Sequence, residues 1–373
     1  MKDIVLVGVS PLVKRRLEVF CLEELITKGF KVTHCDLSPC LFDNLHYENI
    51  LNLDFAIEFT NLSSFEEYLK NIDIINTIFI VELPHTSIYK PIFYLMAKYK
   101  CLCVKINPNA SDFTGYNFPI IESLEYFGLQ GTLVNMLYPL KDMIKNYFYG
   151  DNYNIYSYYI SSGNNPKINI HINQLDWERS RSMLCVRPIP TCKYAVFCDE
   201  YFPVHPDYYY LGGINKIDKI KRKYRYELNT FFDYIEKKYS VRIIVAAHPK
   251  SNYKGNEFGD REIILGKTME LVKNAEFAIV HGSMSIAYSI IFNIPIILAT
   301  TDDMEKIYSC NLQSSIYSRF FKLPLYNISR DSNAYSQSVS AAIRHRYIYD
   351  FLTSPGIEDK HNADILAEAF AKM

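Results

Sequence analysis

Two short stretches in the second half of the chain decide the fold: VRIIVAAHPK at residues 241–250 and FAIVHGSMS at residues 277–285. Each begins with an apolar run typical of a buried strand, and each ends in polar residues. Short apolar runs that alternate with helices predict a parallel sheet covered on both faces. Because ligands bind beyond the carboxyl ends of strands in such sheets, both polar ends are expected to border one site.

The second stretch ends in a turn that carries Gly282, Ser283 and Ser285 and leads into a helical segment. Glycine permits a close approach of the backbone, and the free N–H groups at the start of a helix favour a phosphate. Both serines are also ordinary helix-capping residues, so capping alone is the alternative. His281 either contacts the ligand or lies buried behind the turn. This turn is therefore a candidate site for the phosphate of a nucleotide sugar.

The first stretch ends in a His-Pro turn. The His248 imidazole can donate to a phosphate or to a sugar carboxylate, and Pro249 keeps the turn rigid. Lys250 can neutralise phosphate charge, although a solvated surface lysine is the alternative. Thr268 is expected to cap a further helix and is a candidate contact for the same ligand.

Two adjacent carboxylates, Asp199 and Glu200, follow an earlier predicted strand at residues 194–198. Glycosyl transfer needs a carboxylate that deprotonates the acceptor hydroxyl or attacks the anomeric carbon. Adjacent residues of a strand face opposite ways, so we expect only one of the two to act. A solvated strand end is the alternative.

The first half of the chain shows the same alternation of apolar strands and helices. Strands are predicted at residues 4–9, 30–35, 74–81 and 101–106, and helices at 11–28, 65–71, 88–99, 120–127 and 133–148. Text rich in Asn, Ser, Tyr and Pro between about residues 150 and 190 predicts loops and short strands and indicates the connection between two domains. The sequence thus predicts an α/β protein with two Rossmann-like domains.

Composition excludes several classes of protein. The 373 residues are 49% hydrophobic and 22% charged, which favours an ordered chain with ample core. A net charge of −1 argues against a nucleic-acid binder that relies on neutralising phosphates. The nine cysteines form no CxxC pair and are expected to be reduced, buried thiols. We expect a cytoplasmic protein, because neither a signal-peptide pattern nor a long apolar span is visible.

Cofactor motifs fail at two other places. The turn after the first strand, at Gly8, has no GxGxxG, which argues against a nicotinamide or flavin site. Asp302 and Asp303 have no partner spacing that would hold a metal ion. We therefore expect no cofactor and a metal-independent reaction. The basic run at residues 216–225 is interpreted as a solvated helix face, with docking on anionic lipid as the alternative.

His248-Pro249 after a strand, followed by Ser283-Met284-Ser285 at the head of a helix, resembles bacterial GT-B glycosyltransferases that use CMP-activated sugars. These are the sialyltransferase-like and Kdo-transferase-like enzymes of surface polysaccharide synthesis, and the resemblance covers mainly residues 194–303. The sialyltransferase pattern has an acidic pair followed by Gly in the first domain. This chain has Asp199-Glu200-Tyr201 in the second, so the role of the acid rests on carboxylate chemistry.

The resemblance implies two Rossmann-like domains that face a cleft, as in the GT-B type. Residues 1–185 would bind the acceptor, with Ser10 in contact with it, and residues 186–345 would bind the donor. Residues 346–373 would form a helix that packs back on the first domain. His248 would contact the donor phosphate or cytidine, and the serine pair would hold the phosphate.

The resemblance implies transfer of a sialic-acid-like or Kdo-like ulosonic acid from a CMP-sugar to a hydroxyl of lipopolysaccharide or capsule. A lipid-linked acceptor and peripheral contact with the inner membrane stay open. The alternatives within enzymes are a UDP-sugar glycosyltransferase, a 2-epimerase of the same fold and a polyol-phosphate transferase. A non-catalytic glycan- or nucleotide-binding partner in a synthesis complex is the alternative from another class.

Overall fold

A computed structural model describes residues 2–42, 50–83, 86–107, 124, 155–165, 167–183, 192–205 and 217–373. The chain forms two compact units. The first comprises Met1–Tyr116, Val134–Glu178 and Tyr349–Met373, and the second comprises Asn117–Leu133 and Arg179–Ile348. The helices predicted at 120–127 and 133–148 lie outside the described residues, except residue 124.

The sheet of the first unit has seven strands, all paired in parallel, in the order β3-β2-β1-β4-β5-β6-β7. Its strands are β1 (Asp3–Gly8), β2 (Val32–Asp36), β3 (Ala56–Glu58), β4 (Thr77–Val81), β5 (Leu102–Asn107), β6 (Tyr156–Ser161) and β7 (Ile170–His171). Strands β6 and β7 lie within the stretch predicted as loops and short strands between domains. They extend the first sheet instead of only connecting two domains.

The sheet of the second unit has six strands, also all parallel, in the order β10-β9-β8-β11-β12-β13. Its strands are β8 (Tyr194–Cys198), β9 (Arg242–Ala247), β10 (Ile263–Leu265), β11 (Ala278–Val280), β12 (Ile296–Thr300) and β13 (Leu325–Asn327). The predicted α/β fold with two Rossmann-like units is confirmed.

Helices form most of the described connections between consecutive parallel strands, whereas the loop from β9 to β10 contains no helix. In chain order they are α1 (Lys14–Phe20), α2 (Leu22–Thr27), α3 (Leu62–Asn71), α4 (Lys90–Lys98), α5 (Leu175–Ser182), α6 (Ile217–Tyr239), α7 (Thr268–Lys273), α8 (Ile286–Phe292), α9 (Asp302–Glu305), α10 (Tyr308–Phe321), α11 (Ala341–Tyr347) and α12 (Asn362–Lys372).

Alternate residues of the central strands supply separate cores on the two faces of the first sheet. Ile4 and Leu6 belong to one cluster, whereas Val5 and Val7 belong to the other. A strand buried on both faces has to be apolar throughout, which is why β1 is a continuous hydrophobic run. In the second unit, Phe197 packs against Phe232 of α6 with ring centroids 5.2 Å apart.

The predicted single helix at residues 11–28 is wrong, because two helices meet there. Cys21 between them has φ 51°, in the left-handed region, and its amide donates to the carbonyl of Glu18. The break turns Phe20 and Leu22 both into the core, with 1% and 0% exposure. The sequence has no Gly or Pro at this position to indicate the break.

The last helix of the chain, α12, packs on the first unit. Leu366 and Phe370 are fully buried in the same cluster as Ile4 of β1. A buried amide pair fastens its start, since the Asn173 amide donates to Asn362 Oδ1 and Asn362 Nδ2 donates back to the Asn173 carbonyl, both at 2.8 Å.

Candidate functional site

The carboxyl edge of the second sheet brings the predicted site residues onto neighbouring strand ends. Strand β8 lies between β9 and β11, and the chain leaves β8 toward β9 before it crosses to β11. The ends of β8 and β11 therefore form a topological switch point, where open α/β sheets bind their ligands. Residues 199–200, 248–250 and 281–285 directly follow these three strands.

Asp199 ties the end of β8 to the loop after β9. Its Oδ2 accepts from the His248 amide at 3.1 Å and from the Tyr253 hydroxyl at 2.8 Å, and its Oδ1 accepts from the Tyr201 amide at 2.9 Å. The residue is 5% exposed. Burial raises the pKa of the carboxyl above its usual range, while the three hydrogen bonds oppose this shift. This buried carboxylate, with its three hydrogen-bond donors, holds the loop after β9 in place.

Glu200 points to the other side of the strand end. Its Oε1 accepts from the Gly282 amide at 2.6 Å, so it contacts the turn after β11. The residue is only partly buried. The adjacent carboxylates thus face opposite ways, and each one fixes one of the two loops that flank β8.

His248 lies half-buried at the end of β9, and Pro249 and Lys250 beside it are exposed. Its Nδ1 accepts from the Lys250 amide at 3.1 Å, so the proton of the neutral ring is on Nε2. The ring packs edge-on against His205, with centroids 4.7 Å apart and an interplanar angle of 89°. The local fold thus orients Nε2 as a donor.

His281 is fully buried, with both ring nitrogens hydrogen-bonded. Nδ1 lies 2.7 Å from the Ala299 carbonyl and donates to it, so Nε2 accepts from the Tyr224 hydroxyl at 2.9 Å. Burial lowers the pKa of this imidazole. His281 therefore lies behind the turn, the second of the two positions that the sequence left open, and supports the turn from within.

The turn at Gly282 packs closely on α10. A Cβ atom at Gly282 would lie 3.2 Å from Cβ of Gln313. Ser283 Oγ accepts from the Ser285 amide at 3.2 Å and from its hydroxyl at 2.9 Å. Ser285 is the capping residue of α8 by position, yet its side chain makes no capping bond. The two partly exposed hydroxyls therefore lie together beside the Gly282 amide.

The other predicted contacts lie farther from this switch point. Thr268 begins α7 after β10, two strands from β8, and the capping position belongs to Lys267. Ser10 belongs to the first unit, where it follows β1. Asp303 accepts from Lys223 and Lys306, both at 3.0 Å, so charged side chains of the chain itself occupy it. The part of the chain that the structure describes has no cluster of three or more potential metal ligands.

The sequence did not single out Tyr253 and Tyr224, whose hydroxyls bond Asp199 and His281. The chain has 31 tyrosines, and no local pattern separates these two from the others. Their roles can be recognised only from their contacts in the folded protein.

The first unit has a switch point of its own, between β1 and β4. Arg16 of α1 lies over Gly8 at the end of β1, and its Nη2 forms an ion pair of 2.8 Å with Glu82, which follows β4. His34 of β2 is 1% exposed, and neither ring nitrogen has a hydrogen-bond partner among the described residues. Burial and the Arg16 charge lower the pKa of His34 to about 4.

No protein-family model and no curated protein matches the chain. Solved structures similar to it include the glycosyltransferase SnogD from Streptomyces nogalater, with 10% identity, TM-score 0.45, and coverage of 100% of this chain and 98% of that chain. The UDP-GlcNAc 2-epimerase of Methanocaldococcus jannaschii has 13% identity, TM-score 0.42, and coverage of 93% and 97%. Phytolacca americana UGT2 has 10% identity, TM-score 0.44, and coverage of 99% and 94%.

At this level of similarity the matches carry no argument about activity or substrate. Among the helices that the structure describes, none combines the length and apolar character needed to span a bilayer.

Proposed function

We propose that the protein is a glycosyltransferase that moves a sugar from a nucleotide-sugar donor to a hydroxyl of a bacterial surface glycan. The donor is a CMP-linked ulosonic acid, sialic-acid-like or Kdo-like. This choice of donor follows the resemblance of the His248-Pro249 and Ser283-Met284-Ser285 motifs to CMP-sugar enzymes. The fold by itself does not choose between CMP-sugars and other nucleotide sugars.

One observation carries the proposal: the Asp199-Glu200 pair links both motif-bearing loops at the switch point of the second sheet. Asp199 holds the His248 amide and Glu200 holds the Gly282 amide. Hydroxyls, a histidine donor and a carboxylate therefore border the crevice where ligands of such sheets bind. Phosphate stabilisation and proton removal are the two requirements of glycosyl transfer from a nucleotide.

In the proposed reaction the donor phosphate accepts hydrogen bonds from the Gly282 amide, the Ser283 and Ser285 hydroxyls and His248 Nε2. Glu200 accepts from the Gly282 amide before the donor binds, and in the proposed reaction the phosphate takes its place at that amide. The acceptor oxygen bonds to the anomeric carbon while its proton passes to Glu200. The bond from that carbon to the phosphate oxygen breaks, and its electron pair leaves with CMP. Asp199 keeps the His248 loop in place.

A thermal-shift series with CMP, UDP, GDP and CDP tests the donor class. We expect CMP to raise the melting temperature, since a ligand at 100 times its Kd stabilises the folded state by about 2.7 kcal/mol. Stabilisation by UDP alone would favour a UDP-sugar transferase or a 2-epimerase, and by CDP alone a polyol-phosphate transferase. If the protein binds CMP but releases no CMP from a CMP-sugar with any acceptor of a panel, the result would favour a non-catalytic partner.

His248→Ala and Glu200→Gln test the assigned roles. The loss of one charge-stabilising donor lowers turnover by about 10²-fold or more, and we expect this of His248→Ala. Glu200→Gln keeps an acceptor oxygen for the Gly282 amide but cannot take a proton, so turnover should fall by about 10²- to 10⁴-fold. His345→Ala, at an exposed site on α11, is the control. Unchanged donor affinity and CMP release in His248→Ala would contradict the proposal.

A further inference from the structure

Tyr201 has a left-handed backbone conformation at the end of a strand, a position that differs from those of the other left-handed residues. Six non-glycine residues in the described parts of the chain have a positive φ. Five of them lie at the carboxyl ends of helices, where the left-handed conformation is common: Cys21, Lys100, Ser240, Asn293 and Lys322. Tyr201, with φ 55°, instead follows strand β8, next to Glu200.

Hydrogen bonds hold Tyr201 in this conformation. Its amide donates to Asp199 Oδ1 at 2.9 Å, and its carbonyl accepts from the amides of Val204 and His205, both at 2.8 Å. The left-handed region is unfavourable for a bulky residue, whereas Gly or Asn adopts it readily. Strain of this kind clusters at functional sites, so Tyr201 is a candidate for a functional role.

The neighbours of the Tyr201 ring fix its orientation. The ring is partly exposed and packs edge-on against Tyr253, with centroids 5.3 Å apart and an interplanar angle of 84°. Tyr253 is held in turn by the Asp199 carboxylate. Because Tyr253 belongs to the loop after β9, the Tyr201 ring lies on the β9 side of the β8 end. It is an ordered aromatic surface beside the switch point.

We propose that Tyr201 is the residue on which the planar base of the nucleotide stacks. This inference rests on the proposed function, in which the phosphate binds at Gly282 after β11. A nucleotide held there extends across the end of β8. Tyr201 then lies one to two strand spacings from the phosphate, roughly 5–10 Å. Aromatic side chains accept any base in this way, so the stacking adds affinity without choosing the base.

Isothermal titration with CMP and with ribose 5-phosphate tests the inference on wild type, Tyr201→Phe, Tyr201→Asn and Lys322→Asn. We expect Tyr201→Asn to weaken CMP binding by about tenfold, the scale of one base–aromatic stack, and to leave ribose 5-phosphate binding unchanged. Tyr201→Phe keeps the ring and should keep the affinity. Lys322→Asn, at an exposed left-handed residue after α10, is the matched control and should not change CMP binding.

The melting temperature separates a ligand contact from a structural role. Asn relieves the backbone strain at both sites, and at position 201 this gain offsets the loss of the edge-on contact with Tyr253, so neither Asn variant should melt clearly below the wild type. A clear fall for Tyr201→Asn alone would show that the ring serves folding and would overturn the inference.

Three binding results would also overturn the inference. Unchanged CMP affinity in Tyr201→Asn overturns it while the proposed function stands. Equal weakening of CMP and ribose 5-phosphate shows that the effect does not arise at the base. If wild type binds no nucleotide, the proposed function fails first and the inference with it.

Discussion

At the scale of single residues, the adjacent carboxylates Asp199 and Glu200 differ in their exposure and in their hydrogen-bond partners. Asp199 is buried under three donors, whereas Glu200 is partly exposed and bonded to one backbone amide of the neighbouring turn. The sequence predicted that the two side chains face opposite ways, because neighbours on a strand do so. It could not predict the partners of Asp199, because one of them, Tyr253, is 54 residues away in the chain.

His34, whose ring nitrogens have no hydrogen-bond partner in the described part of the chain, provides a prediction about pH. Its folded-state pKa is about 4, below the ordinary value of 6.5. Between these pH values the unfolded chain binds a proton that the folded chain does not bind, so the free energy of unfolding falls as the pH decreases. The effect amounts to about 3 kcal/mol at pH 4. We expect His34→Phe to remove this part of the slope in urea unfolding between pH 6.5 and 4.

At pH 8 the His34→Phe protein should be as stable as the wild type or more stable, because the substitution removes two unpaired polar atoms from the interior. The same acid slope in both proteins would contradict the assignment of the effect to His34.

At the scale of elements, apolar runs were predictable and tertiary details were not. The strand predicted at 194–198 matches β8 residue for residue, since five consecutive apolar residues end at the polar pair Asp199-Glu200. Strand β6, with the sequence YSYYIS, was not recognised because its polar residues resemble a loop. Its parallel pairing with β5 places it in the sheet, which its composition does not indicate. The turns after β9 and β11 were predictable as near neighbours, because the carboxyl ends of parallel strands share one edge of the sheet.

The turn between β1 and α1 depends on the absence of a side chain. A Cβ at Gly8 would lie 2.7 Å from Arg16 Nη1, so Gly8→Ala must shift the guanidinium, which is the end of a flexible side chain and pairs with Glu82 through Nη2. We expect a loss of about 1 kcal/mol or less in the free energy of unfolding, the scale of a partly exposed ion pair. In an Arg16→Ala background the same glycine substitution should cost much less. Equal costs in the two backgrounds would show that Arg16 is not the obstacle.

At the scale of the whole molecule, residues distant in sequence complete the first unit. The described part of this unit joins strands from residues 3–107 and 156–171 to a helix at residues 362–372. The core of the second unit lies between residues 195 and 334. The core of the second unit shares no residues with the cluster of the first unit that contains Ile4 and Leu366. A substitution in one of these two cores should therefore affect the other only weakly.

The last helix provides a test of this separation. Leu366 is fully buried in the first core, and Leu366→Ala should lower the stability of that unit by about 3 kcal/mol. Glu368→Ala on the exposed side of the same helix is the control, with an expected change below about 0.5 kcal/mol. In calorimetry, one melting transition should move and the other should stay. A common shift of all transitions would mean that the units unfold together.

The discontinuity of the first unit also sets an order of events during synthesis. Leu366 and Phe370 emerge from the ribosome after every residue of the second core, so the first core stays open until residues 362–372 have been synthesised. We therefore expect the later-synthesised unit to mature first, contrary to the usual vectorial order. Until then, the apolar face that awaits the last helix is a surface for chaperones to shield.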